Sequence, residues 1–274
     1  MNPAVIEFFN VLPNRTIIEV SGVDRATFLQ GLITNDIKTV EKELIIYTLM
    51  LSPQGKFQYD FFIINIGSSL LIDIDSKRAD TLIQRLQLFK LHALITITKN
   101  TDIHIGVSSR IVHTNYCFED PRLKNLGYRW YGKILSQAQT LVEVYENLRL
   151  TLGVPDGARD LVVDKSIPLE WGMDELKAIS WGKGCYMGQE LTARSRYVGQ
   201  VRKRAFVIES QDLMDLEIGT KLQVGDREVG ELRTHNGTFG IALLRLEAAL
   251  LPNVVTIENK PVKIHQPSWM KLPE

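Results

Sequence analysis

Residues 44–51 and 57–65 form two runs rich in Leu, Ile, Phe and Tyr, separated only by Ser52-Pro53-Gln54-Gly55-Lys56. Each is far shorter than the roughly 20 apolar residues that span a bilayer. A Pro/Gly pentapeptide between β-rich runs predicts a hairpin. A sheet must therefore lie within the first half of the chain, and some element must cover it. A third strand is predicted at residues 70–74, after Gly67-Ser68. The cover follows directly: from Ser76 onward, Ala79, Leu82, Ile83, Leu86 and Phe89 recur on one face at helical spacing.

Strands predicted at residues 16–20, 94–98 and 103–107 complete an α+β order, unlike a regular βαβ succession. Asp24 is placed to cap a short helix bearing Ala26, Phe28, Leu29, Leu32 and Ile33. No glycine-rich dinucleotide fingerprint follows a strand. A second helix is predicted over 136–152, with Leu141, Val144, Tyr145 and Leu148 on its apolar face and Gly153 and Pro155 ending it. Residues 154–171 read as loop. Beyond Gly199 the pattern changes. Strands predicted at 205–209, 220–224, 228–232, 239–246 and 254–258, with Gly225-Asp226 and Asn236-Gly237 turns, point to a small β-barrel or sandwich. The expected domains are residues 1–199, in two lobes, and 200–274.

Composition narrows the function classes. The 274 residues, 45% hydrophobic and 23% charged, suffice for substantial cores. Thirty-two basic residues balance thirty-two acidic ones, so neither nucleic acid nor an anionic membrane is favoured as partner. Cys117 and Cys185 are the two cysteines, no CxxC pair exists, and the five histidines lack ligand spacing. A metal held by this chain alone is not expected. Residues 1–10 contain Glu7 and resemble neither a signal nor a transit peptide, which predicts a cytoplasmic protein.

The chemistry concentrates in Lys183-Gly184-Cys185-Tyr186-Met187-Gly188-Gln189-Glu190-Leu191-Thr192-Ala193-Arg194. Gly182, Gly184 and Gly188 frame one thiol, and glycines permit positive φ and close approach of amides to a ligand. Good helix formers from Gln189 onward predict a helix N-terminus, whose amides and dipole favour anions. With Lys183, Arg194 and Arg196 nearby, such surroundings favour a nucleophilic thiolate. A lone cysteine is also among the residues most often buried and inert; the glycine frame and basic neighbours argue for a site.

The string Lys-Gly-Cys-Tyr-x-Gly-Gln-Glu resembles the signature of the YgfZ family. The likeness extends to Ser21-Gly22-Val23-Asp24, Phe28-Leu29-Gln30-Gly31, Thr34-Asn35-Asp36, Leu51 to Lys56, Asp60, Gly153-Val154-Pro155 and Ile167-Pro168-Leu169-Glu170. The resemblance implies the fold of the glycine-cleavage T-protein aminomethyltransferase: α+β lobes and a C-terminal β-barrel around a folate-sized opening. It implies tetrahydrofolate as ligand, a role in making or repairing iron–sulfur clusters with assembly machinery or client enzymes, and a monomer.

Carried over, Cys185 is the central reactive residue, with Lys183 beside it and Gly184, Tyr186, Gly188, Gln189 and Glu190 completing the motif. Asp60 and Glu170 match positions that meet the pterin. Two tryptophans that contact folate in bacterial relatives correspond to Arg15 and Tyr145. Tyr145 could stack on a flat ring or pack in the core, and Arg15 could stack or pair with a glutamyl carboxylate. By pattern alone Asp60 faces solvent or lines a pocket, and Glu170 is a ligand or a cap. Arg194, with Arg196, Arg202, Lys203 and Arg204, forms an anion site for folate carboxylates or an acidic partner, or else a solvated face. Three functions follow: a folate-binding accessory factor for iron–sulfur proteins, a tetrahydrofolate-dependent one-carbon transferase, or a binding protein with a vestigial pocket.

Overall fold

A computed structural model of the chain describes residues 7–114, 116–135, 138, 142–197, 199, 201–251 and 255–272. The chain divides into two compact units whose segments alternate along the sequence. The first comprises residues 1–53, 58–145 and 177–187; the second comprises 54–57, 146–176 and 188–274. The sequence pattern places a boundary near Gly199, where the barrel strands begin; the compact units are divided by contact rather than by order along the chain, which passes repeatedly between them.

The first unit holds two antiparallel sheets. The larger orders its strands Ile45–Leu51, Phe57–Asn65, Ser69–Asp75, Arg15–Ser21 and Thr96–Asn100. The predicted hairpin is thus present, and Ile45–Leu51 is buried along its whole length. Helix Ser76–Lys90 covers the sheet, started by Asp75, whose side chain accepts from the Lys77 amide at 2.9 Å. Its buried Ala79, Leu82 and Leu86 pack with Ile18, Val20, Ile63 and Ile72. Each such buried leucine contributes about 1.5–3 kcal/mol. The smaller sheet orders Phe9–Val11, His104–Ser108, Tyr128–Gly132 and Tyr116–Glu119; only its second strand was predicted.

Asp24 does not cap the helix Arg25–Gln30 as expected. Its Oδ2 instead accepts from the Leu94 amide at 2.8 Å, tying two loops together. Gly22 makes that contact possible. Its φ is +107°, and a Cβ there would lie 2.1 Å from the Leu94 carbonyl oxygen and 2.8 Å from the Ile95 Cα. Both obstacles are backbone, so Gly22→Ala is expected to destabilise by about 2 kcal/mol or more, combining unfavourable φ with overlap. Urea unfolding would show this as a lower midpoint with unchanged slope.

The second unit contains a seven-stranded antiparallel sheet. Its order is Lys260–Pro261, Thr256–Ile257, Lys221–Val224, Arg227–Asn236, Phe239–Arg245, Lys203–Glu209 and Lys263–His265. The two edge strands are separated in sequence by Val262 alone, so the sheet curls into a nearly closed barrel. Phe206, Ile208, Leu222, Leu232, Leu244 and Ile257 fill it. The expected α+β fold with a C-terminal β-barrel is the fold observed.

The second predicted helix runs Glu143–Thr151; its expected first residues, including Leu141, lie outside the described residues. Near its end, buried Arg149 donates to the Val154 carbonyl at 2.7 Å and to Asp160 Oδ2 at 3.0 Å, and it pairs with Glu146. One arginine thereby closes the turn expected to be loop, which contains the short helix Gly157–Asp160. Burial pushes the Asp160 carboxyl up to about 6, although Arg149 opposes the shift.

Candidate functional site

The signature leaves the first unit after Met187 and enters the second at Gly188. Its first part is anchored at three points. Lys183 is 7% exposed, and its Nζ donates to the carbonyls of Gln30 at 2.7 Å, Ile33 at 2.6 Å and Asn35 at 2.8 Å. An ammonium has three protons, and all three are used. Burial pushes this amine down to about 8, with Asp36 pulling it back up. The ammonium also lies 5.0 Å from the centroid of the Tyr186 ring, which is buried. Finally, the Met187 amide donates to the Gly31 carbonyl at 3.2 Å.

Between these anchors Cys185 is exposed. Cys117 is half-buried; its sulfur accepts from the Val112 amide at 3.4 Å, and burial pushes its thiol up. The glycines flanking Cys185 do not act as expected. Gly182 and Gly184 do not have positive φ, and a Cβ on either would meet nothing within 4 Å. What they supply is open space around the thiol. Gly188 alone in the motif is left-handed, at φ +82°. Its carbonyl accepts from the Thr192 amide and hydroxyl, starting the predicted helix, Gln189–Tyr197. Gln189 and Glu190 are the first two residues of that helix.

The proposed folate contacts of the first unit are engaged by protein. Arg15 donates from Nε to Asp73 Oδ1 and from Nη2 to the Asp73 carbonyl, both at 2.6 Å. Tyr145 is buried against Phe8, ring centroids 5.6 Å apart, and its hydroxyl accepts from Arg122 at 3.1 Å. Core packing is therefore the role of its ring. Asp60 is buried rather than solvent-facing, and its Oδ2 accepts from the Tyr47 hydroxyl at 3.0 Å.

These residues border a buried ionic cluster that sequence reasoning missed. Asp73, wholly buried, also accepts from Arg129 at 2.6 Å and Tyr131 at 3.0 Å. The Arg15, Arg122 and Arg129 guanidinium carbons lie 5.6, 5.0 and 3.9 Å from the Phe62 ring centroid. A pterin or glutamyl chain that used the Arg15 guanidinium or the Tyr145 hydroxyl would have to displace these bonds. The one available signal was Asp73 itself, a carboxylate between Leu70-Leu71-Ile72 and Ile74 in an otherwise apolar run.

Glu170 and Arg194 belong to the second unit. Glu170 sits in the 3-10 turn Pro168–Trp171; burial raises its carboxyl, opposed by Lys203 and Lys56. Arg194, with Gly55, Lys56, Pro168 and Ser195, lines a cleft of about 520 Å³. Among the described residues, no group of three His, Cys, Asp or Glu side chains is arranged to hold a metal ion. No helix among them is long and apolar enough to cross a membrane.

Comparison with known proteins fits this architecture. The profile of the CAF17 C-terminal β-barrel domain matches residues 202–272. The glycine cleavage system aminomethyltransferase T of Bartonella henselae superposes with a TM-score of 0.76 at 11% identity, covering 96% of this chain and 86% of that one; this shows the fold. The mitochondrial iron–sulfur cluster assembly factor IBA57 homolog of Mycosarcoma maydis is 34% identical over 70% of this chain, which spans 55% of that protein. The corresponding homolog of Pyricularia oryzae is 30% identical over 87% of this chain and 72% of its own length. Both relatives are mitochondrial, which overturns the cytoplasmic expectation. That expectation rested on the composition of ten terminal residues, a weak guide to compartment.

Proposed function

Because this chain belongs to the family of IBA57 iron–sulfur cluster assembly factors, we propose that it supports assembly or repair of iron–sulfur clusters in client enzymes, with Cys185 as its point of engagement. The observation that carries this reading is an exposed thiol on a loop pinned on both sides, at Lys183 and at Tyr186 and Met187. Such a sulfur can reach a second protein without the fold opening. Clusters of the common types are held by four protein ligands, so one thiolate serves as a transient ligand while a partner supplies the others. The cluster is cargo here.

The transferase reading draws no support from Asp60, whose carboxylate is already bonded to Tyr47, and no step is routed through a folate. Calorimetric titration of tetrahydrofolate into the chain is expected to give no saturable heat at millimolar ligand; a stoichiometric isotherm would reverse this view.

In cells lacking their own copy, expression of the Cys185→Ser chain is expected to leave cluster-dependent enzymes at least tenfold less active than the parent chain does. Cys117→Ser is the control and should restore activity fully. Equal restoration by both variants would remove the basis for assigning Cys185.

A further inference from the structure

Four large apolar side chains of the first unit stand in water: Val23 is 77% exposed, Leu88 72%, Leu91 84% and Leu94 69%. Single exposed leucines are ordinary; these four are gathered. Leu88 lies in the last turn of helix Ser76–Lys90. The next turn closes with the Ala93 amide donating to the Lys90 carbonyl at 2.8 Å; it carries Leu91, and Leu94 follows it directly. The Leu94 amide is bonded to Asp24, and Gly22 lies against the Leu94 carbonyl, so Val23 joins the same patch. Leu91 adopts φ +44°, uncommon for a side chain of this type. It ends helix Ser76–Lys90, where positive φ is common, and it is the most exposed of the four.

The rim is cationic. Arg85 and Lys90 stand three residues before and two after Leu88, His92 follows Leu91, and Arg25 is two residues from Val23, its guanidinium donating to the Gly22 and Gly67 carbonyls. This local excess stands out in a chain of zero formal net charge. One short helix connects the patch to the cysteine loop. Helix Arg25–Gln30 begins two residues after Val23, is about 9 Å long at 1.5 Å per residue, and ends at the Gln30 carbonyl held by Lys183. An ordinary interface buries about 800 Å² on each partner, enough to take in both ends of such a helix.

We propose that Val23, Leu88, Leu91 and Leu94 form the docking surface for the protein that completes the cluster's ligand set, and that this partner presents an apolar patch rimmed by carboxylates. The proposal rests on the reading of Cys185 as a cluster-engaging thiol. Charge selects the partner: a second copy of this chain would oppose two cationic rims, whereas an acidic rim is complementary.

The test uses the full chain in cells depleted of their own copy, with benzoylphenylalanine placed separately at position 91 and at position 184, where a side chain meets open space. Both positions are expected to crosslink one and the same protein, and Lys90→Glu is expected to lower that yield several-fold. A Leu91→Glu/Leu94→Glu chain should lose at least tenfold in cluster-dependent activity while its melting temperature and Cys185 alkylation stay unchanged. Different proteins at the two positions, a lipid adduct, a self-crosslink, or a yield indifferent to Lys90→Glu would overturn the proposal. If the leucine variant retains activity while Cys185→Ser loses it, the surface is wrong and the thiol reading stands. If both retain activity, both are wrong.

Discussion

Asp73→Ala is expected to destabilise the first unit by about 3–5 kcal/mol, the range for removing one partner of a buried charge pair. The carboxylate is wholly buried and faces two guanidiniums, Arg15 and Arg129, as well as the Tyr131 hydroxyl. Its removal leaves Arg15 without its ion-pair partner and Arg129 with only the longer contact to Asp120, at 3.9 Å, and a methyl group cannot bond either of them. Asp73→Asn should rank between alanine and the parent, since the amide oxygen still accepts one bond. Melting followed by circular dichroism would record a loss on the order of 10 °C for the alanine chain.

The same residue has a pH signature. Burial alone would raise the Asp73 carboxyl, but Arg15 and Arg129 hold it below the ordinary carboxylate range. A depressed carboxylate contributes stability that is fully present above its unfolded value, about 3.9, and is lost as pH falls through its folded value. The stability gap between parent and Asp73→Ala should therefore be constant from neutrality to about pH 5 and narrow below about pH 4. A gap that widened on acidification would contradict the ion-pair account.

Lys183→Met is the second large effect. It leaves the carbonyls of Gln30, Ile33 and Asn35 without the donor they share. At about 1 kcal/mol or more for each acceptor left unsatisfied, the cost is roughly 3 kcal/mol. Lys183→Arg should recover little, because a planar fork does not match three carbonyls converging on one point. The functional consequence separates two roles. If Lys183 positions the loop, cluster-dependent activity falls in Lys183→Met while the pH profile of Cys185 alkylation keeps its shape. If the amine instead acts on the thiol itself, that profile shifts.

Much of the fold could be read from residue order because its elements carry strong local signals. The runs around Ser52–Lys56 are too apolar to be anything but buried strands, and Ala79 to Phe89 repeats at helical spacing. The second sheet was not legible for the opposite reason. Tyr116–Glu119 and Tyr128–Gly132 are short and contain Glu119 and Arg129; they are strands because a partner strand completes their hydrogen bonds. The alternation of segments between units also has no local signal.

The site divides along the same line. Its cysteine was found from an unusual run of residue types, and the helix after it from ordinary propensity. The roles of Gly182 and Gly184 were misjudged, since glycine identity does not distinguish a backbone requirement from clearance around a neighbour. Arg15 and Tyr145 were assigned to a ligand by position alone. Their actual partners, Asp73 and Arg122, lie 58 and 23 residues away in sequence, beyond the reach of any local pattern.

The most direct measurement is alkylation of the native chain by iodoacetamide, followed by peptide mass spectrometry at both cysteines. With the thiol open on a pinned loop, Cys185 should react within about tenfold of its rate in the urea-unfolded chain, well ahead of half-buried Cys117. Protection of Cys185 to the level of Cys117 or beyond would mean that the sulfur is not presented to a partner, and the proposed function would lose its physical basis.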